Sequence, residues 1–172
     1  MFKDHSLLPA EAIRLAALGF LAEGPRRHGD LAAELRHFIG LAVGPSLEMM
    51  GSSIELLRHE GLVTAGEGED AEFALTPAGL DDLTKLLRAP LRAPTNDAGR
   101  LALLLKLRFG HHLPAPAQAA QRTVIADALE AEAARLEELR RRFAANAPLF
   151  RRWLDRDIAE LAGRIADFRG PG

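Results

Sequence analysis

The stretch from Pro45 to Leu80, PSLEMMGSSIELLRHEGLVTAGEGEDAEFALTPAGL, sets three local signals in a fixed order. Met50, Ile54 and Leu57 recur at i, i+4 and i+7, which places them on one face of a helix. Gly61 follows where a helix C-terminus favours a residue tolerant of positive φ. Leu62-Val63-Thr64 and Glu72-Phe73-Ala74-Leu75 flank the polar, glycine-containing Gly66-Glu67-Gly68-Glu69-Asp70, the pattern of a short hairpin. Thr76 is then a good N-cap, and Pro77 fits the first helical position, where no N–H is needed. Helix, hairpin and helix in this order form the back half of a winged helix-turn-helix.

Working outward, Ile13, Ala16, Ala17, Phe20 and Leu21 make one helical stripe between Pro9 and Ala22, ended by Gly24-Pro25. A second helix is expected from Asp30, as its cap, to Phe38, with Leu31, Leu35 and Phe38 inward and Gly40 closing it. Ser46 is a candidate cap near the start of the third helix. The fourth, Pro77 to about Arg88, should turn Leu80, Leu83, Leu86 and Leu87 toward a core. Pro90 and Pro94 mark a short connector over 89–96. Beyond it the pattern predicts a helix over Asp97 to Phe109, a long amphipathic helix from about Ala117 to Ala145, and a last helix after Asn146-Ala147-Pro148. That last helix carries Phe150, Leu154, Ile158, Leu161, Ile165 and Phe168 as a continuous seam. Its apolar faces are wide, so a second copy of the chain is the expected sink for them. The expectation is a mainly α protein with a small β-wing: residues 1–90 a winged helix-turn-helix domain, 95–172 a helical dimerisation region.

Composition narrows the function. The 172 residues include no Cys, which excludes disulfides, Cys-ligated zinc, iron–sulfur clusters and a thiol nucleophile. The N-terminus has no signal-peptide pattern and no apolar run reaches membrane-spanning length, so a cytoplasmic location is expected. Net charge is −2, unevenly spread: residues 1–88 hold eight Lys/Arg against fourteen Asp/Glu, and 89–172 fourteen against ten. No nucleophile motif accompanies the histidines, so no enzymatic activity is expected.

The segment Ala17-Leu18-Gly19-Phe20-Leu21-Ala22-Glu23-Gly24-Pro25-Arg26, the run Leu57-Arg58-His59-Glu60-Gly61-Leu62-Val63 and the corner Leu75-Thr76-Pro77-Ala78-Gly79 resemble the PadR family of transcriptional regulators. Leu103 to Phe109 and Phe150 to Ile158 look like that family's C-terminal helices. The resemblance implies an N-terminal winged helix on operator DNA, a C-terminal region that dimerises, and a dimer interface that admits flat apolar effectors, which Trp153 and Phe150 would line. Two features depart from the family pattern: Gly51 and Ser52 stand where Tyr and Pro are usual, and Glu67, Glu69, Asp70 and Glu72 replace basic residues in the wing.

The candidate DNA donors are Arg26, Arg27, Arg36, Ser46, Ser52 and Arg58, aided by backbone N–H groups of the third helix. Phe150, Trp153, Leu154, Ile158, Leu161 and Ile165 are the candidate dimer interface. No cofactor or metal is expected, since His111-His112 has no third ligand nearby in sequence and reads as a loop pair. Arg140 to Arg142 read as a solvated helix face paired to Glu137 and Glu138. The competing reading is a winged-helix homodimer that has lost DNA binding and recognises protein or a small ligand.

Overall fold

A computed structural model describes residues 5–44, 51–66, 68 and 71–170, side chains at 51–53 excepted. Helix α1 (Pro9–Ala22) is apolar on nearly every side, and residues from Ala12 to Leu21 are buried, Arg14 excepted. It runs through the middle of the first core rather than over its surface. Glu11 accepts the Leu8 N–H at 2.8 Å and closes its first turn. Arg14 is the polar exception, reaching Asp82 at 2.6 Å and Glu60 at 2.5 Å.

Three short strands follow from the hairpin pattern and from one pairing the pattern did not announce. Strands β1 (Arg26–Arg27), β2 (Val63–Ala65) and β3 (Glu72–Leu75) form an antiparallel sheet in the order β1-β3-β2. Val63 pairs with Leu75 and Ala65 with Phe73, while Arg26 joins Phe73 from the other side. Phe73 and Val63 point inward.

Helix α2 (His28–Val43) is longer than expected. Arg27 is its N-cap, Asp30 lies in the first turn, and the helix passes through Gly40 to end at Gly44, whose φ is +85°. Leu31, Leu35 and Ile39 are spaced by four along its buried face, and packing of Ala42 and Val43 carries the helix past Gly40. Helix α3 (Gly51–His59) buries Ile54 and Leu57; Met50 lies outside the described residues. Gly61 takes φ +72°, as its place after the helix predicts.

Thr76 caps helix α4 (Pro77–Arg88) as expected, its hydroxyl accepting the Gly79 N–H at 3.0 Å and reaching the carbonyl oxygens of Gly61 and Leu62 at 2.8 and 2.9 Å. A Cβ on Gly79 would lie 2.1 Å from the Leu62 oxygen, so only glycine lets this turn rest on the chain leaving α3. Leu83, Leu86 and Leu87 are buried, but Leu80 is 47% exposed, because in the first turn Gly79 is the residue that faces the core.

The connector leads to α5 (Asp97–Phe109), capped by Asn96. Leu101, Ala102, Leu105 and Phe109 join the first core, while Leu103 packs on a second one. Phe109 presses on α1 where Gly19 has no side chain: a Cβ there would meet the ring at 2.5 Å. Its ring also stands edge-on to Phe20 at 5.1 Å. After a short 3-10 turn, Gly110–His112, α6 (Ala115–Phe143) and α7 (Pro148–Arg169) fold into a hairpin. Ile125, Leu129, Leu136, Leu154 and Leu161 are its core. Arg140 with Asp155 at 2.8 Å and Arg169 with Glu130 at 2.9 Å bridge the two helices. Among the described residues no helix is long and apolar enough to cross a membrane.

One buried charge sits where the parts meet. Lys106 is 1% exposed, and its ammonium donates to the carbonyls of Leu87 and Ala89, each at 2.6 Å, with that of Leu86 at 3.4 Å. These are carbonyls at the C-terminal end of α4, where no following helical turn supplies amides. Burial lowers the Lys106 pKa to about 8.

Candidate nucleic-acid interface

Ile54 and Leu57 fix the inner face of α3, so its outer face is set: Leu56, Arg58 and His59 are exposed and Glu55 is half-buried. Arg58 is tied to Glu55 at 3.0 Å, one turn back. The His28 imidazole lies 4.0 Å from the same carboxylate, with its ring against Phe73 at 5.7 Å. Ser52 is helical, with its side chain outside the described residues; Ser46 lies outside them altogether, as do Glu67, Glu69 and Asp70.

The two adjacent arginines of β1 differ. Arg26 donates to Glu34 at 2.6 Å and to the carbonyls of Phe20 and Gly24, with Glu23 at 3.7 Å, and so knits α1, β1 and α2 together. Alternation along the strand sends Arg27 to the exposed side, and Arg36 is exposed on α2. The charges of Arg26 and Arg58 are therefore already matched by carboxylates, which lowers what they offer to a phosphate. Arg14, not singled out by sequence, ties the end of α3 to α1 and α4 through Glu60 and Asp82.

Along α7, Leu154 and Leu161 are buried against α6 within the same chain, and Phe150, Ile158, Ile165 and Phe168 pack half-buried beside them. Trp153 stands outside this seam, 57% exposed, near the end of the hairpin that also carries exposed Leu149 and Phe143. A groove of about 550 Å³ runs between α5, α6 and α7, lined by Leu103, Leu104, Leu107, Leu129, Leu136 and Phe168 among others.

A family model described as "Putative AphA-like transcriptional regulator" matches residues 2–169. The chain belongs to the AphA-like family. No curated protein matches it significantly. Among solved structures it is similar to smu.1604c from Streptococcus mutans UA159, at 16% identity over 90% of this chain and 95% of that one, with a TM-score of 0.39.

The AphA-like chain also brings together groups that are distant in sequence. The carboxylate of Glu23, at the end of α1, and the imidazoles of His111 and His112 each place one ligating atom within 4.8 Å of the others. Arg108 holds Glu23 with both arms of its guanidinium, at 2.5 and 3.0 Å. Burial and the neighbouring His111 push the His112 imidazole below the ordinary histidine range, favouring its neutral form. Sequence gave no signal for Glu23, which lies 85 residues from its Arg108 partner.

Proposed function

We propose that this AphA-like chain is a homodimeric, cytoplasmic, DNA-binding transcriptional regulator of PadR-like build, working without catalysis. In this reading residues 1–90 are a winged helix-turn-helix domain and 95–172 a helical dimerisation region, with α5 as the strut between them. The observation that carries it is α3: a short helix held by Ile54 and Leu57 against α1 and followed by a three-stranded sheet, with its outer face left to solvent. Such a helix is placed to enter a major groove. Arg27, Arg36 and Arg58, with Ser46 and Ser52, supply the phosphate and base contacts, and Arg26 positions them. The second copy covers Trp153 and the exposed Leu107 of α5, and a flat apolar effector would enter that interface beside Trp153 and Phe150.

Binding of the purified protein to its own promoter region at two salt concentrations tests this. With Arg27 and Arg36 of both protomers making four phosphate contacts, affinity falls about a hundredfold between roughly 50 and 200 mM salt. Absence of specific binding at low salt would overturn it. A second reading, a dimeric module that recognises protein or a small ligand, is favoured by the carboxylates that already occupy Arg26 and Arg58. Under that reading, no promoter fragment is preferred at either salt.

A further inference from the structure

We propose that Glu23, His111 and His112 form a site for a zinc-class divalent metal ion, joining the end of α1 to the turn that follows α5. Two imidazoles and one carboxylate are the donor set of borderline transition metals, not of calcium or magnesium. Three protein ligands also leave a fourth, open position of a tetrahedral ion. The donor atoms lie within 4.8 Å of one another, and a tetrahedral zinc needs them about 3.3 Å apart, so an ion would draw them in by up to about 1.5 Å.

Two details favour a ligand here over a chance meeting of side chains. His111 Nδ1 is 3.1 Å from the Arg108 carbonyl oxygen, so it donates there and leaves Nε2 as the free lone pair, the arrangement that orients a metal-binding histidine. The His112 ring is incompletely satisfied: its Nε2 is buried with no hydrogen-bond partner among the described residues. Arg108 is the nearer competing cation, with Arg26 at 3.7 Å from the same carboxylate. The Arg108 side chain is 42% exposed and can swing to water, releasing Glu23 to the ion.

That competition makes the site testable. Tag-free full-length protein is titrated with Co²⁺, read by visible absorption, and the bound Co²⁺ is displaced with Zn²⁺. One ion per chain is expected, with the bands lost in Glu23→Gln and in a His111→Ala/His112→Ala double variant, both checked for native far-UV circular dichroism. Arg108→Gln should tighten binding about fivefold, by removing an exposed ion pair to the ligand. Zn²⁺ should raise the melting temperature of the wild type and not of Glu23→Gln, because an ion that binds only the folded state stabilises it. No absorption at millimolar Co²⁺, or bands that survive in both ligand variants and so come from His5, His28, His37 or His59, would overturn the site. Weaker binding in Arg108→Gln would overturn the competition with it.

Discussion

Raising the pH from 8 to about 10.5 should stabilise this protein, an effect that Lys106→Met removes. The folded Lys106 pKa is lowered to about 8 from 10.5 by burial, so between these values the unfolded chain binds more protons than the folded one. Stability therefore rises with pH across that window and is flat below it. A 2.5-unit difference at 1.36 kcal/mol per unit amounts to roughly 3 kcal/mol gained by about pH 10.5. The sequence makes the measurement clean: there is no Cys or Tyr, and the only other lysines are Lys3 and Lys85. Lys85 is exposed on α4, not buried like Lys106. Urea unfolding followed by far-UV circular dichroism, at half-unit steps of pH, gives the curve. With Lys106 neutral, the remaining gap to Lys106→Met isolates its two short bonds to Leu87 and Ala89, about 1–3 kcal/mol in favour of the wild type. Wild-type stability that is flat or falling from pH 8 to 10 would refute the reasoning.

Gly79→Ala should lower stability by about 3 kcal/mol, the upper end for overpacking, since the clash is with the Leu62 backbone oxygen; a thermal melt decides it. Trp153→Glu combined with Leu107→Glu should leave the fold intact and yield monomer in sedimentation, because both side chains are exposed in the single chain; an unaltered dimer would place the interface elsewhere. Leu154→Asp, by contrast, should unfold the α6–α7 hairpin at a cost of about 4 kcal/mol, since it strikes the chain's own core. Glu67→Lys with Glu69→Arg should strengthen promoter binding and steepen the slope of log K against log salt by about two units.

Elements whose signal is local were legible. Helix α1 spans the expected Pro9–Ala22 and α5 the expected Asp97–Phe109, because a proline or an asparagine cap meets an apolar stripe at each start. The Thr76-Pro77 cap was equally plain. Strand β1 was not, since two arginines have no intrinsic strand preference and pair only because Phe73 and Glu72 lie opposite. Glycine at position 40 predicted a stop to α2, yet tertiary packing overrides the 1 kcal/mol or so by which glycine weakens a helix. The seam of α7 was legible as an apolar stripe, but its period says only that something covers it; which surface does so depends on how the 144–147 turn folds α7 back on α6. Burial of Lys106 had a faint signal. Pro90 stops α4 without a C-terminal glycine, so the freed carbonyls needed a donor from elsewhere. The meeting of Glu23 with the histidine pair had none, being fixed only when α5 docks on α1.

The bare backbone at Gly19 acts as a bearing for Phe109. With no side chain between them, the ring occupies the space a Cβ would need, and Phe20 stands edge-on beside it. A tilt of α5 cannot be cushioned by rotamer changes at this point and must be passed to α1 as displacement. Arg14 on α1 also holds Glu60, just past the end of α3, so α5, α1 and the end of α3 form one chain of direct contacts. A molecule that wedges α5 away from α6 should therefore be felt at α3, by way of α1.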